Sequence, residues 1–127
     1  MSAKNPVVWF EIYVDDMERA SKFYETVFDV KLEDMPNPTD DNLQMKSFSG
    51  SMDSYGINGA LVKMEGFKAG GNSTLIYFES ADCTTEEQRI ENAGGKIHKS
   101  KMSIGSHGFI SLFSDSEGNM VGLHSME

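Results

Sequence analysis

The chain spells one succession of elements twice, and this repetition constrains the fold more than any single motif does. Residues 7–14 are rich in β-branched and aromatic side chains and read as a strand. Asp15-Asp16 ends it, and Asp15 is placed to cap a helix, with Glu18 three positions on as in a capping box. Met17, Ala20, Phe23, Tyr24, Val27 and Phe28 then recur at helical spacing and form a core-facing stripe. Residues 30–32 make a short strand and residues 36–42 a loop. Residues 43–48 and 57–64 read as strands, joined by a flexible turn that contains Met52 and Tyr55.

After a glycine-rich linker at about 66–72 the order returns. Residues 74–78 read as a strand. Asp82, Thr84 or Thr85 can cap a helix that runs to about Ala93 and is stopped by Gly94-Gly95. Strands follow at 96–102, 108–114 and 119–124, the last two joined by a turn over residues 115–119. The halves also match in detail. Asp16 precedes Lys31 by 15 positions and Asp82 precedes Lys96 by 14. Asn58-Gly59-Ala60-Leu61-Val62 echoes Asn119-Met120-Val121-Gly122-Leu123.

These signals predict an α+β fold: one domain over residues 1–127, built of two βαβββ modules at about 6–65 and 73–126. Each module forms an open half-barrel sheet with its helix on the outer face. Two such halves, in one chain or across a dimer, cover each other and leave a cleft.

The net charge of −9 disfavours nucleic acid and anionic membranes as partners, because both are held by Lys and Arg. The densest basic cluster, Lys96, Lys99 and Lys101, reads as the solvated edge of a strand. The single cysteine, Cys83, allows no intramolecular disulfide. With neither a signal-type segment nor about 20 consecutive apolar residues, a cytoplasmic location is expected.

The repeat, together with Phe113-Ser114-Asp115-Ser116-Glu117-Gly118-Asn119-Met120-Val121-Gly122-Leu123, resembles the vicinal oxygen chelate superfamily of glyoxalases, bleomycin-resistance proteins and extradiol dioxygenases. Members often carry proline where this chain has Ser116. Asp15-Asp16 followed by Phe23-Tyr24 and Phe28 is similar to the family's first strand-to-helix entry, and Gly94-Gly95-Lys96 to its second helix exit. The resemblance implies a fold that hosts lyases, isomerases, epimerases, dioxygenases and metal-free antibiotic binders. It also implies a divalent metal held by His and Glu from the first and last strand of each module. The matching positions are Trp9, the stretch 59–61, Thr74 or Leu75, and Gly122. None is a His, Asp or Glu, so no metal or other cofactor is expected. A displaced site for zinc, nickel, manganese or iron would have to use Glu11 and His124, each two positions along its strand, and a catalytic metal needs about three ligands.

The remaining candidates are ligand-binding ones. Trp9, Glu11 and Tyr13 share a strand face. With Phe48, Tyr77 and Phe113 they would give a cleft aromatic walls and one carboxylate, suited to a planar or cationic small molecule. Their plainer role is core packing, and strand register decides between the two. His107 sits in a glycine-flanked loop at a cleft mouth or on the surface. His98 reads as exposed, and Cys83 as a buried, inert thiol at a helix start. The sequence thus favours a homodimeric, metal-independent binder of a small organic molecule. A glyoxalase-type lyase or isomerase with a displaced metal is the second reading, and a structural or regulatory dimerisation domain the third.

Overall fold

The computed structural model describes residues 5–36, 42–51, 53–72 and 74–127; positions 37–41 of the loop expected at 36–42 and the turn residue Met52 lie outside this description. In chain order the elements are β1 (Phe10–Tyr13), α1 (Met17–Phe28), β2 (Leu32–Asp34), β3 (Leu43–Phe48), β4 (Gly59–Met64), β5 (Tyr77–Glu79), α2 (Cys83–Ile90), β6 (Lys96–Ser103), β7 (Phe109–Ser114) and β8 (Met120–Ser125). A 3-10 turn at Gly105–His107 precedes β7. The strands form two open four-stranded sheets of identical design, ordered β1-β4-β3-β2 and β5-β8-β7-β6. In each, the first strand pairs in parallel with the last, and the other pairings are antiparallel.

The pairing corrects the internal match. Glu11 lies opposite Ala60, and Tyr77 opposite Gly122. Likewise the Val14 N–H donates to Val62 O, as the Ser80 N–H does to His124 O. Ala60 is therefore the counterpart of Gly122, and the echo of 58–62 in 119–123 is one residue out of register. Such a slip exchanges the two faces of a strand. Four strands are also shorter or shifted: β1 starts at Phe10, β2 at Leu32, β4 at Gly59 and β5 at Tyr77.

The helix entries are made by aspartates. Asp16, not Asp15, caps α1 by accepting the Arg19 N–H at 3.0 Å. Asp15 instead accepts the Ala69 N–H at 3.0 Å and ties down the linker. Asp82 caps α2 through the Thr84 N–H at 3.0 Å, and the Lys101 ammonium with the Thr84 hydroxyl brings its carboxyl down to about 2. On the edge strand β6, Lys96 and Lys99 are exposed as expected, whereas Lys101 is half-buried between Asp82 and the Phe109 ring.

Both modules share one core, on the helix side of the sheets. Met17, Ala20, Phe23, Tyr24 and Val27 of α1 are buried as the stripe predicts. Their rings meet Phe48 from the first sheet and Phe78 and Phe113 from the second, with Phe10 packed on Phe48 and Phe78. The two helices pack against each other, and Arg89 of α2 donates to Val27 O at the end of α1.

The turn after β7 carries the sequence motif, and its polar residues clamp α1. Glu117 accepts the N–H groups of Asp15 and Asp16, each at 2.9 Å, and both Nε and Nη2 of Arg19, at 2.6 and 2.8 Å. Burial alone would raise the Glu117 carboxyl; the Arg19 guanidinium, the two N–H groups and the Ser116 hydroxyl outweigh it and hold it below the ordinary value. Asp115 accepts the buried Tyr24 hydroxyl at 2.7 Å and the N–H groups of Glu117 and Asn119. Burial first, then the Asp115 charge, push the Tyr24 phenol well above its usual range.

Candidate functional site

The face of each sheet away from the helices is open, and β1 places the predicted trio on it. Ile12 and Phe10 alternate into the core, so Trp9, Glu11 and Tyr13 point the other way. They are joined by hydrogen bonds: Trp9 Nε1 donates to Glu11 Oε2 at 3.3 Å, and the Tyr13 hydroxyl to Glu11 Oε1 at 3.1 Å. One carboxylate is thus held between an indole and a phenol. Partial burial, then the bond to Glu11 and that carboxylate's charge, raise the Tyr13 hydroxyl above its ordinary value.

Glu11 and Tyr13 border a cavity of about 430 Å³ at the seam between the modules. Such a volume falls within the range of small-molecule pockets, ~300–1,000 Å³. Its second wall comes from the segment before β5 and the start of β8, through Thr74, Ile76, Met120 and Val121. The linker closes a third side with Phe67 and Lys68. This linker is tied to both modules: Ala69 N–H donates to Asp15 of the first, while Gly70 N–H donates to Asn119 Oδ1 at 2.7 Å and Asn72 bridges the Thr74 carbonyl and the Met120 N–H of the second. The Phe67 ring lies 5.7 Å from that of Tyr13. Phe67, Lys68 and Met120 were not legible as site residues; the only cue was an aromatic and a cation inside a glycine-rich stretch.

The other sequence candidates divide. Tyr77 lies on the open face of the second sheet, 45% exposed, with its ring over Gly122. Phe113 and Phe48 do not line the cleft. Phe113 is fully buried opposite Val121 and Ile97, and Phe48 stands opposite Leu32 against the Tyr24 ring; register turns both towards the helices. His124 lies within 2.7 Å of the His107 carbonyl, so the two histidines meet through the His107 backbone. His107 itself is exposed in the 3-10 turn, and His98 is exposed beside Ser114. Cys83 is buried, with its Sγ 3.3 Å from the Ser125 hydroxyl.

The family's metal positions are occupied by side chains that cannot ligate. Trp9 and Leu75 stand just before the entering strands β1 and β5, and Ala60 and Gly122 on the leaving ones. At Gly122 even a Cβ would come within 2.5 Å of the Tyr77 ring, so the space for a carboxylate is taken by an aromatic. Among the described residues no group of three or more His, Cys, Asp or Glu is arranged around a common point, and Glu11 and His124 form no ion pair. The residues present do not fit the superfamily's metal centre.

Two βαβββ modules that share a helical core and leave the opposite sheet faces open define a paired-module fold with a cavity at the seam. The model of the Glyoxalase/Bleomycin resistance protein/Dioxygenase superfamily matches residues 7–123, and the chain belongs to this superfamily. A glyoxylase-like domain-containing protein of Didymella fabae is 31% identical over 110 residues, 86% of this chain and 84% of that protein. Glyoxalase I of Zea mays superimposes with a TM-score of 0.75 at 22% identity over 95% of this chain, which spans 46% of the maize enzyme's length. An antibiotic-binding protein from Streptomyces superimposes with a TM-score of 0.67 at 22% identity, covering 98% of both chains. Among the described residues no helix is long and apolar enough to cross a membrane.

Proposed function

We propose that the chain binds a small organic molecule in the seam cavity, without the divalent metal that the superfamily's enzymes use. The observation that carries this reading is the pair Glu11 and Tyr13 at the edge of the 430 Å³ cavity, with Trp9 beside it on the same face and hydrogen-bonded to Glu11. Two rings and an oriented carboxylate offer stacking, cation–π contact and a hydrogen-bond acceptor in one place. Support comes also from the non-ligating residues at the four metal positions, and from the likeness in fold to an antibiotic-binding protein. Calorimetric titration with cationic aromatic compounds tests it: saturable heat that is weakened in Glu11→Gln is expected. Absence of binding across such a panel, or stoichiometric metal in protein purified without chelator, overturns it.

The functional unit is a homodimer in this reading. The open face of the second sheet presents Leu75, Tyr77 and Met102, each more than a third exposed, and a second copy would cover them. Sedimentation equilibrium at micromolar concentration is expected to give twice the 14.1 kDa chain mass. A strictly monomeric species contradicts this.

A further inference from the structure

The polar groups lining the seam cavity are not equally available to a guest. Asn119 has both ends engaged: Oδ1 accepts the Gly70 N–H, and Nδ2 donates to the Tyr13 carbonyl at 2.9 Å and Asp115 Oδ2 at 3.1 Å. Asn72 is engaged likewise, through the Met120 N–H and the carbonyls of Thr74 and Met120. The Tyr13 hydroxyl gives its proton to Glu11. These side chains shape the wall and have no donor left for a ligand.

Two charged side chains remain, of opposite sign. Glu11 accepts one bond at each oxygen, which leaves lone pairs on both, and among the described residues no cation pairs with it. Lys68 lines the same cavity and makes no ion pair or hydrogen bond among the described residues. Its neighbour Asp15 is engaged by the Ala69 N–H, and Ala69 and Gly70 fix the backbone that carries Lys68. Glu11 and Lys68 border one cavity, yet they lie outside ion-pair distance of each other.

We propose that the ligand is amphoteric: an apolar or aromatic body with a cationic group that meets Glu11 and an anionic group that meets Lys68. This rests on the small-molecule reading and narrows it. Lys68 and Glu11 are both exposed to solvent, so the charges act by sign: a purely cationic guest would face the Lys68 ammonium, and a purely anionic one would face Glu11. A guest with both signs satisfies each charge and spans the seam between β1 and the linker.

The test uses four para-substituted benzenes of nearly equal size: para-(aminomethyl)benzoate, para-methylbenzylammonium, para-methylbenzoate and para-methylbenzyl alcohol. Trp9 is the only tryptophan and is hydrogen-bonded to Glu11, so its fluorescence reports on the Glu11 end of the cavity, and calorimetry provides a second readout. The amphoteric probe is expected to bind about fivefold tighter than either singly charged one at low salt, the upper end for half-exposed ion pairs. Glu11→Gln should reduce its affinity to that of the anionic probe, and Lys68→Met to that of the cationic probe. Equal affinity of the amphoteric and a singly charged probe overturns the two-charge proposal and leaves the binding reading standing. Failure of all four to bind overturns both.

Discussion

At the residue scale, the site depends on what neighbouring side chains allow each position to be. Glu11 is oriented by donors two positions to either side on its own strand, so its geometry follows from the period of the strand alone. Gly122 is held small by Tyr77, its partner across the parallel ladder, whose ring covers the missing side chain. Gly122→Ala is expected to displace that ring and to cost about 1 kcal/mol, the low end for overpacking because Tyr77 is half exposed. Chemical denaturation gives the cost, and tyrosine near-ultraviolet dichroism gives the ring movement. An unchanged spectrum would show that the ring does not fill this space. The faces of Trp9, Glu11 and Tyr13 could be read from sequence because alternation is local. Those of Phe48 and Phe113 could not, because they depend on partners such as Leu32 and Val121 that no local pattern specifies.

At the element scale, α1 is held at its two ends in different ways. Its N-terminus meets the Glu117 carboxylate, favourable to the helix dipole and clamped by Arg19. Glu117→Gln keeps one acceptor for the N–H groups but turns an amide towards the guanidinium. A loss of about 2 kcal/mol is expected, the range for hydrogen bonds to charged groups. The pH dependence has a definite sign. The folded Glu117 value lies below the ordinary 4.5, so its stabilisation is complete above 4.5 and is lost as pH falls through the folded value. The wild type should therefore lose stability more steeply than Glu117→Gln on the acid side; parallel acid limbs would contradict the clamp. The C-terminus of α1 is less well made. Asp29 adopts a left-handed conformation with φ 54° and places an acidic side chain at the negative end of the dipole. Asp29→Gly is expected to stabilise the protein by about 0.5 kcal/mol in the same denaturation assay. Element order was legible, and Asp82 stood among three candidate caps for α2, because capping and turn chemistry lie within a few residues. The choice of Asp16 over Asp15 was not, since Asp15 is recruited by Ala69, 54 positions away.

At the scale of the whole molecule, the helix side is one aromatic core shared by both modules, while the opposite faces stay open and meet at the seam cavity. The repeat made the two modules readable, but not whether they cover each other within one chain or across a dimer, because that choice rests on packing between modules and not on local pattern. The linker's contribution was hidden: Phe67 and Lys68 have no periodicity, and only the pinning of Gly70 and Asn72 brings them to the cavity. The central claim is that a small molecule occupies this cavity against Trp9, Glu11 and Tyr13. Nuclear magnetic resonance mapping with an amphoteric and cationic fragment set tests it most directly, since the lone indole N–H of Trp9 gives a single resolved signal at the site. Saturable shifts of that signal together with the amides of Tyr13, Phe67 and Met120 are predicted. Shifts confined to other surfaces, or none at all, would contradict the account.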